Sequence, residues 1–420
     1  MIFLIFWILL QVVFCEQLAS VLSNDYSTEE RKFLLYDVNY GEGFNLRRDV
    51  YMRVANTVRL LRNNGHNYIL VLPAWGGLYH WKKRSNKLPW STFFDINSLN
   101  DFVPVIEFQD FLQEINHDGI DEVAYLQAYA EGWTSGNYEI KFDRRPCIQG
   151  HQYYRLEDGK WRSWFFSYEY VWAKNFSCIS IQGDSNTLTK MIESYYPDAP
   201  TLFVDRAEQI LHSVFGDKYY WEARRSMRYA PHLVKIGDKF RKEKLGSSDS
   251  HDRTVLTGPW RDVKKHHGEA LGGDFLCVHW RRQDFVHHHS SIIPSVKGAA
   301  EQILKILRAY NLTQLFLSTD AATEEVELLK SHLSSDVSVE RYEPEEELTD
   351  GEVSVIDQWV CAHARVFTGT HSSTFSYRIQ EDREILGFLP KTTFNNLCPD
   401  DNDQCEQPSE WKITYENANF

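Results

Sequence analysis

The chain is 420 residues long, 43% hydrophobic and 14% aromatic, with a formal net charge of -14. That composition suits packed globular structure rather than disorder, and the length exceeds what one core fills, so two domains are expected. The acidic balance argues against a nucleic-acid binder, whose surface would be basic.

The N-terminus reads MIFLIFWILLQVVFC. It has the length of a signal-peptide apolar core and is too short to span a bilayer as a helix, although no basic residue precedes it. Residues 1–16 therefore read as a secretory signal, with a buried N-terminal element or a membrane anchor as alternatives. No later stretch is long and apolar enough to cross a membrane. Apart from Cys15, six cysteines remain: Cys147, Cys178, Cys277, Cys361, Cys398 and Cys405. An even count in a secretory chain suggests disulfides. Cys398 and Cys405 enclose a short polar loop and are expected to pair, and Cys147 with Cys178 then follows. Cys277, in the apolar run FLCVHW, and Cys361, in a helix, read as buried thiols. Sequons at Asn175 and Asn311 fit the same compartment as glycosylation sites.

In chain order, FLLYDVN (33–39) reads as a strand, GEGFN (41–45) as a loop, and 46–63 as a helix. Leu46, Val50, Val54, Val58 and Leu61 follow one face of a 3.6-residue repeat, with Asn45 as N-cap and Gly65 as the stop. YILVLPAW (68–75) is a second strand, so this segment forms a βαβ unit and a parallel sheet. The aromatic run GKWRSWFFSYEYVW (159–172) reads either as strand and core packing or as a wall lining an acceptor cleft. RKEKLGSSDSHDRT (241–254) reads as a domain junction or surface loop. The alternation then resumes: strand 274–281, helix 295–310, strand 314–320, helix 322–333. A helix follows that is opened by a capping box at Thr349 and Glu352, then strand 365–370 and a helix opened by HSSTFS. The expected fold is α/β, with two Rossmann-like domains facing a cleft: 17–240, 241–390, and a tail, 391–420, with the small disulfide loop. Ligands bind such sheets beyond the strand carboxyl ends.

Three loops fall there: GEGFN, HWRRQDF (279–285) and TGTHSSTFSYR (368–378). Two of them open helices, whose free N–H groups and partial positive charge suit a diphosphate, and Ser372, Ser373 and Thr374 add hydroxyls. Ordinary N-capping would explain the same serines. Arg281, just past a strand, suits a phosphate clamp, or else a structural pair with Asp284. His279 is either a core histidine or cleft-facing. GEGFN is neither a P-loop nor G-x-G-x-x-G. Beside an anion site Glu42 would have to face elsewhere, toward an acceptor whose proton it could remove; complementing the helix dipole is the other reading. The D-x-D triplet Asp401-Asn402-Asp403 lies inside the small cysteine loop, a poor place for a catalytic ion, so no metal is expected.

Together GEGFNLRRDVY, LVLPAWGGLYHW, HWRRQDF and TGTHSSTFSYRI closely resemble the GDP-fucose protein O-fucosyltransferase 2 family, over about residues 33 to 390. The resemblance implies a metal-independent, GT-B enzyme of the endoplasmic reticulum lumen with no cofactor. Such an enzyme transfers fucose from GDP-β-fucose, with inversion, to serine or threonine in folded thrombospondin type 1 repeats, in a C-x-x-[S/T]-C context. It implies Glu42 as catalytic base and Gly41, Gly43, Phe44 and Asn45 as donor-loop contacts. His279, Trp280 and Arg281 would lie at the sugar nucleotide, Arg281 on the diphosphate, Asp357 on the guanine edge, and Thr374 and Phe375 beside the donor. Trp280 stands where a smaller apolar residue is expected, and ENANF is no K-D-E-L-like tail. The rival readings are an enzyme acting on EGF-like repeats and a non-catalytic lectin or chaperone of the secretory pathway.

Overall fold

Alternating apolar strands and amphipathic helices build two sheets. The computed structural model describes residues 31–416, except 79–80, 83–86, 133–135, 149–152, 289–290, 346 and 403. The apolar run 1–16, residues 417–420 and Asp403 of the D-x-D triplet thus lie outside the described residues.

The first half supplies β1 (Lys32–Tyr36), β2 (Tyr68–Leu72), β3 (Val105–Glu107), β4 (Gly119–Gln127), β5 (Lys141–Arg144), β6 (Arg155–Glu157), β7 (Lys160–Arg162), β8 (Trp172–Asp184), β9 (Thr201–Asp205) and β10 (Ile210–Leu211). Its parallel centre runs β3-β2-β1-β9-β4-β8, and the short antiparallel strands β5 and β7–β6 extend it past β8. The second half supplies β11 (Gly273–Trp280), β12 (Gln314–Thr319), β13 (Ser338–Glu340), β14 (Ala364–Gly369) and β15 (Asn395–Asn396), all parallel in the order β13-β12-β11-β14-β15. Each sheet reverses its order beside its first strand, at β1/β9 and at β11/β14. These are the switch points where open α/β sheets bind ligands.

The helices of nine or more described residues are α1 (Phe44–Asn63), α2 (Ser185–Tyr195), α3 (Lys218–Ser226), α4 (Pro231–Leu245), α5 (Val296–Tyr310), α6 (Thr323–His332), α7 (Asp350–Ala362) and α8 (Thr374–Leu386). None is long and apolar enough to cross a membrane. Of the stripe read from the sequence, helix α1 buries Val50, Val54, Val58 and Leu61 fully and Leu46 only partly, and Gly65 closes it at φ 91°. It starts earlier than expected, however. Gly43 is the N-cap, without a side-chain bond, because burying the Phe44 ring among Trp75, Trp81 and Phe93 draws Phe44 into the first turn. Asn45 is therefore a helical residue rather than the cap. The Thr349–Glu352 capping box forms as read.

The stretch 241–254 is not a loop. Helix α4 runs through it to Leu245 and a short helical turn follows at Asp249–Asp252. The reason lies in Arg241: while its basic neighbours face solvent, this buried guanidinium bonds Asp238, Asp249 and Asp252. A second bond, Trp359 Nε1 to Asp238 at 2.8 Å, fastens α4 to α7.

Cys147–Cys178 and Cys398–Cys405 are disulfides, as expected. Cys277 and Cys361, read as free thiols, form a third, with Cα atoms 5.1 Å apart. Strand alternation turns Phe275, Cys277 and His279 to one face of β11, the face that α7 covers, and Cys361 lies on α7 above it.

A buried polar network ties the two halves together. Arg224 on α3 bonds Glu381 and Asp382 on α8, Tyr220 and Tyr229 bond the same two carboxylates, and Arg378 on α8 reaches Asp49 on α1 at 3.5 Å. Arg48 adds a 2.6 Å bond to Gln358 on α7.

Candidate active site

At the first switch point the chain leaves β1 and turns through Tyr40 and Gly41 to Glu42, which is half-buried and precedes the Gly43 N-cap of α1. Arg47, one turn into α1, clamps this loop. Its Nε donates to the Glu42 carbonyl (3.1 Å), one terminal nitrogen to Asp37 (3.0 Å), and the other to the Asn39 carbonyl (3.3 Å). The Glu42 N–H donates to the Asn39 carbonyl, and the Asn39 N–H to Glu208. Carboxyl groups crowd behind the loop. Asp205 is pushed up to about 7 by burial and by neighbouring Asp37, and it accepts a bond from Tyr154 at 2.9 Å. Burial also raises Glu208, with Glu42 contributing.

At the second switch point β11 ends in His279 and Trp280 with Arg281 just past it, and β14 runs into Thr370 and the start of α8. Thr370 joins the two: its hydroxyl donates to the His279 carbonyl (3.0 Å) and accepts from the Arg281 N–H (2.9 Å). The buried His279 ring bonds Ser376 through Nδ1 (2.9 Å) and stacks on Phe375 at 4.2 Å. Burial, with Arg281 adding to it, lowers its pKa to about 3, so the ring is neutral. Arg281 is held by Asp284 (2.7 Å) and Asp320 (2.6 Å). Gly369 leaves no room for a side chain here: an added Cβ would lie 2.4 Å from the Ser376 hydroxyl and 2.9 Å from Phe394. Gly369→Ala should therefore cost about 1–3 kcal/mol by overpacking, read as a lower urea midpoint.

Asp357, on α7, accepts a bond from Ser318 at 2.7 Å through one oxygen, while its other oxygen is buried with no hydrogen-bond partner among the described residues. Burial pushes this carboxyl up to about 7. Beside it, Gln358 donates to Asn45 on α1 at 2.9 Å. At the opening of α8, Ser372 is exposed with φ 56° and Ser373 is the N-cap residue, but its side chain makes no capping bond. The ordinary capping use of these serines is thus not made by Ser373. Thr374 is exposed on the first turn.

Two expected donor contacts point elsewhere. Phe44 lies in the aromatic core under α1. Trp280 is 1% exposed and turned to the opposite face of β11 from His279, among Leu276, Val278 and Ile303. Period-two alternation makes this unavoidable, since neighbours on a strand cannot share a face. Sequence reading missed Thr370, Ser376, Ser318, Gln358 and Arg47. Thr370 and Ser376 lie inside the quoted TGTHSSTFSYR motif and Arg47 inside GEGFNLRRDVY, so these three could have been weighed; Ser318 and Gln358 carry no local signal. Among the described residues, no three His, Cys, Asp or Glu side chains are grouped to hold a metal ion.

The family profile described as GDP-fucose protein O-fucosyltransferase matches residues 33–386. The chain belongs to the GDP-fucose protein O-fucosyltransferase family. It is 51% identical over 398 residues to GDP-fucose protein O-fucosyltransferase 2 of Caenorhabditis elegans, covering 94% of this chain and 93% of that one. Against the Homo sapiens protein of the same name it is 46% identical over 404 residues, covering 94% and 92%. Crystal structures of POFUT1 with GDP-fucose and with GDP match this fucosyltransferase at TM-scores of 0.58 and 0.57, at 14% identity. They cover 89% and 88% of this chain and 99% of their own. This likeness shows the fold: the fucosyltransferase has the GT-B type architecture that the resemblance implied, with two sheets built on parallel strands.

Proposed function

We propose that the chain transfers fucose from GDP-β-fucose, with inversion, to serine or threonine hydroxyls of folded thrombospondin type 1 repeats in the C-x-x-[S/T]-C context, without a metal. Glu42 takes the proton from the acceptor hydroxyl as it attacks the anomeric carbon. On the opposite face, Arg281 and the N-terminus of α8, with Ser372, Ser373 and Thr374, stabilise the departing diphosphate. Binding a diphosphate exchanges the Arg281–Asp284 pair for a phosphate contact, while Asp320 and Thr370 keep the arginine in place. His279, neutral and locked on Ser376, can offer its other ring nitrogen to the donor, and Phe375 walls that side. Gly41, Gly43 and Asn45 shape the loop that meets the sugar.

One observation supports this reading above the others. The Asp49–Arg378 contact lies five residues into α1 and four into α8. At about 1.5 Å rise per residue, each helix start is only roughly 6–8 Å along its axis from that contact. The contact thus ties the helix that follows the acid-bearing loop to the helix that carries the hydroxyls, which supports a site shared between the two switch points.

Asp357 reads the guanine edge through its unpartnered oxygen, which suits the N–H donors of that base. Guanine selects the ionised carboxylate, so protons compete with the nucleotide. GDP affinity should rise as pH increases through about 7, and Asp357→Asn should bind GDP about tenfold more weakly with that rise abolished. Isothermal titration from pH 5.5 to 8.5 checks both.

Three disulfides and two exposed sequon asparagines, Asn175 and Asn311, support the endoplasmic reticulum lumen as the compartment. The acceptor is tested by offering the purified chain GDP-fucose with a folded thrombospondin type 1 repeat or a folded EGF-like repeat. Transfer to the former alone is expected; transfer to the EGF-like repeat alone would overturn the assignment, and transfer to neither would favour a binding role.

A further inference from the structure

The aromatic run 159–172 divides into two sets. Trp161 is half-buried on Phe176, 4.9 Å between centroids, and does packing work. Phe165 and Phe166 are buried, the first on Phe203 and Tyr154, the second on Phe203 and Phe108. Trp164, immediately before Phe165, is 50% exposed and meets Tyr40, 66% exposed, edge to face at 6.4 Å. Tyr40 stands two residues before Glu42.

The backbone that presents Trp164 is strained. Phe165, Phe166 and Ser167 have φ of 33°, 55° and 66°, three consecutive left-handed residues of which none is glycine. L-residues adopt this region at a cost, and such strain persists only where the surroundings over-determine it. Here the two phenylalanine anchors do so. Both pack on Phe203 of β9, which pairs with Leu35 of β1, the strand that leads into the Glu42 loop. The backbone that carries the indole is therefore anchored to the same strand pair that carries the loop. A lone exposed aromatic needs no explanation, but a pre-organised tryptophan–tyrosine pair beside the candidate base does.

We propose that Tyr40 and Trp164 form an aromatic lip that grips the folded acceptor domain next to the hydroxyl to be fucosylated. The inference rests on the acceptor reading given above and adds to it the surface that holds the acceptor. Rigid Trp and Tyr side chains supply large contact area with little entropy loss and dominate protein interfaces where they occur. Their ring faces take an apolar side chain or a guanidinium on the partner.

The test is steady-state fucosylation of a folded thrombospondin type 1 repeat by wild type, Trp164→Ala, Tyr40→Ala and Trp164→Phe. The lip predicts a KM for the repeat raised about tenfold or more in both alanine variants, with kcat changed less than twofold. Trp164→Phe should recover most of the loss, and GDP affinity and the thermal unfolding midpoint should stay at wild-type values in all three. If wild type is active and KM moves less than threefold in both alanine variants, or the variants unfold at lower temperature in step with their loss, the lip is wrong and the acceptor reading stands. If wild type does not modify the repeat, the acceptor reading fails and the lip with it.

Discussion

Glu42→Gln should lower kcat for fucosyl transfer by about 10²–10⁴-fold while leaving GDP binding within about twofold of wild type. Glutamine keeps the size and hydrogen-bonding shape of the side chain but cannot accept a proton, so the loss reports proton removal rather than the shape of the loop. The loop itself does not depend on that carboxylate. Arg47 holds it through the Glu42 carbonyl, Asp37 and the Asn39 carbonyl, and the Glu42 N–H bonds the Asn39 carbonyl. The variant should therefore fold normally. Single-turnover transfer to a folded repeat, paired with calorimetric GDP titration, separates the two effects. A kcat reduced less than tenfold would remove Glu42 from the role of base, and a parallel collapse of GDP affinity would make it a binding residue.

The second large effect falls on stability. Arg224→Ala should destabilise the protein by about 3 kcal/mol, because it removes the guanidinium shared by two carboxylates and leaves them only part of their compensation. The arginine is 1% exposed, and both carboxylates it serves lie on α8. Glu381 is fully buried and would keep Tyr220 and Arg378, but lose its bond to the planar guanidinium. Since α8 also carries Thr374 and Phe375 and is capped at Ser373, partial loosening of the helix should weaken GDP binding before global unfolding begins. Urea unfolding followed by tryptophan fluorescence measures the first effect, and GDP titration in low urea the second. Arg224→Lys should recover only part of the loss, as an ammonium cannot serve two carboxylates with a planar fork.

Much of the architecture was legible in the sequence because the governing rules are local. The stripe of α1, the Thr349–Glu352 box and the apolar runs of β1, β2, β11, β12 and β14 each depend on residues within a few positions of one another. The loops that bear Glu42, Arg281 and Ser372–Thr374 follow from those strands by chain order alone. What could not be read is where side chains point when tertiary packing decides. Phe44 leaves the donor loop for the core because three aromatic rings from other elements receive it. Trp280 turns from the cleft because His279 occupies the face toward α8. The Cys277–Cys361 bond joins residues 84 positions apart, and only the docking of α7 on β11 brings them together. The Arg224 network belongs to segment 206–230, which has no motif. Its residues gain meaning from carboxylates some 155 positions away, as the Arg224–Asp382 bond spans 158.

The most direct test of the account is a crystal structure of the chain with GDP and a folded acceptor repeat. The account predicts the Glu42 carboxylate about 2.6–3.2 Å from the acceptor hydroxyl, with Arg281 on the diphosphate across the vacant sugar position. A Glu42 side chain turned away from that hydroxyl, with another base in its place, would contradict it.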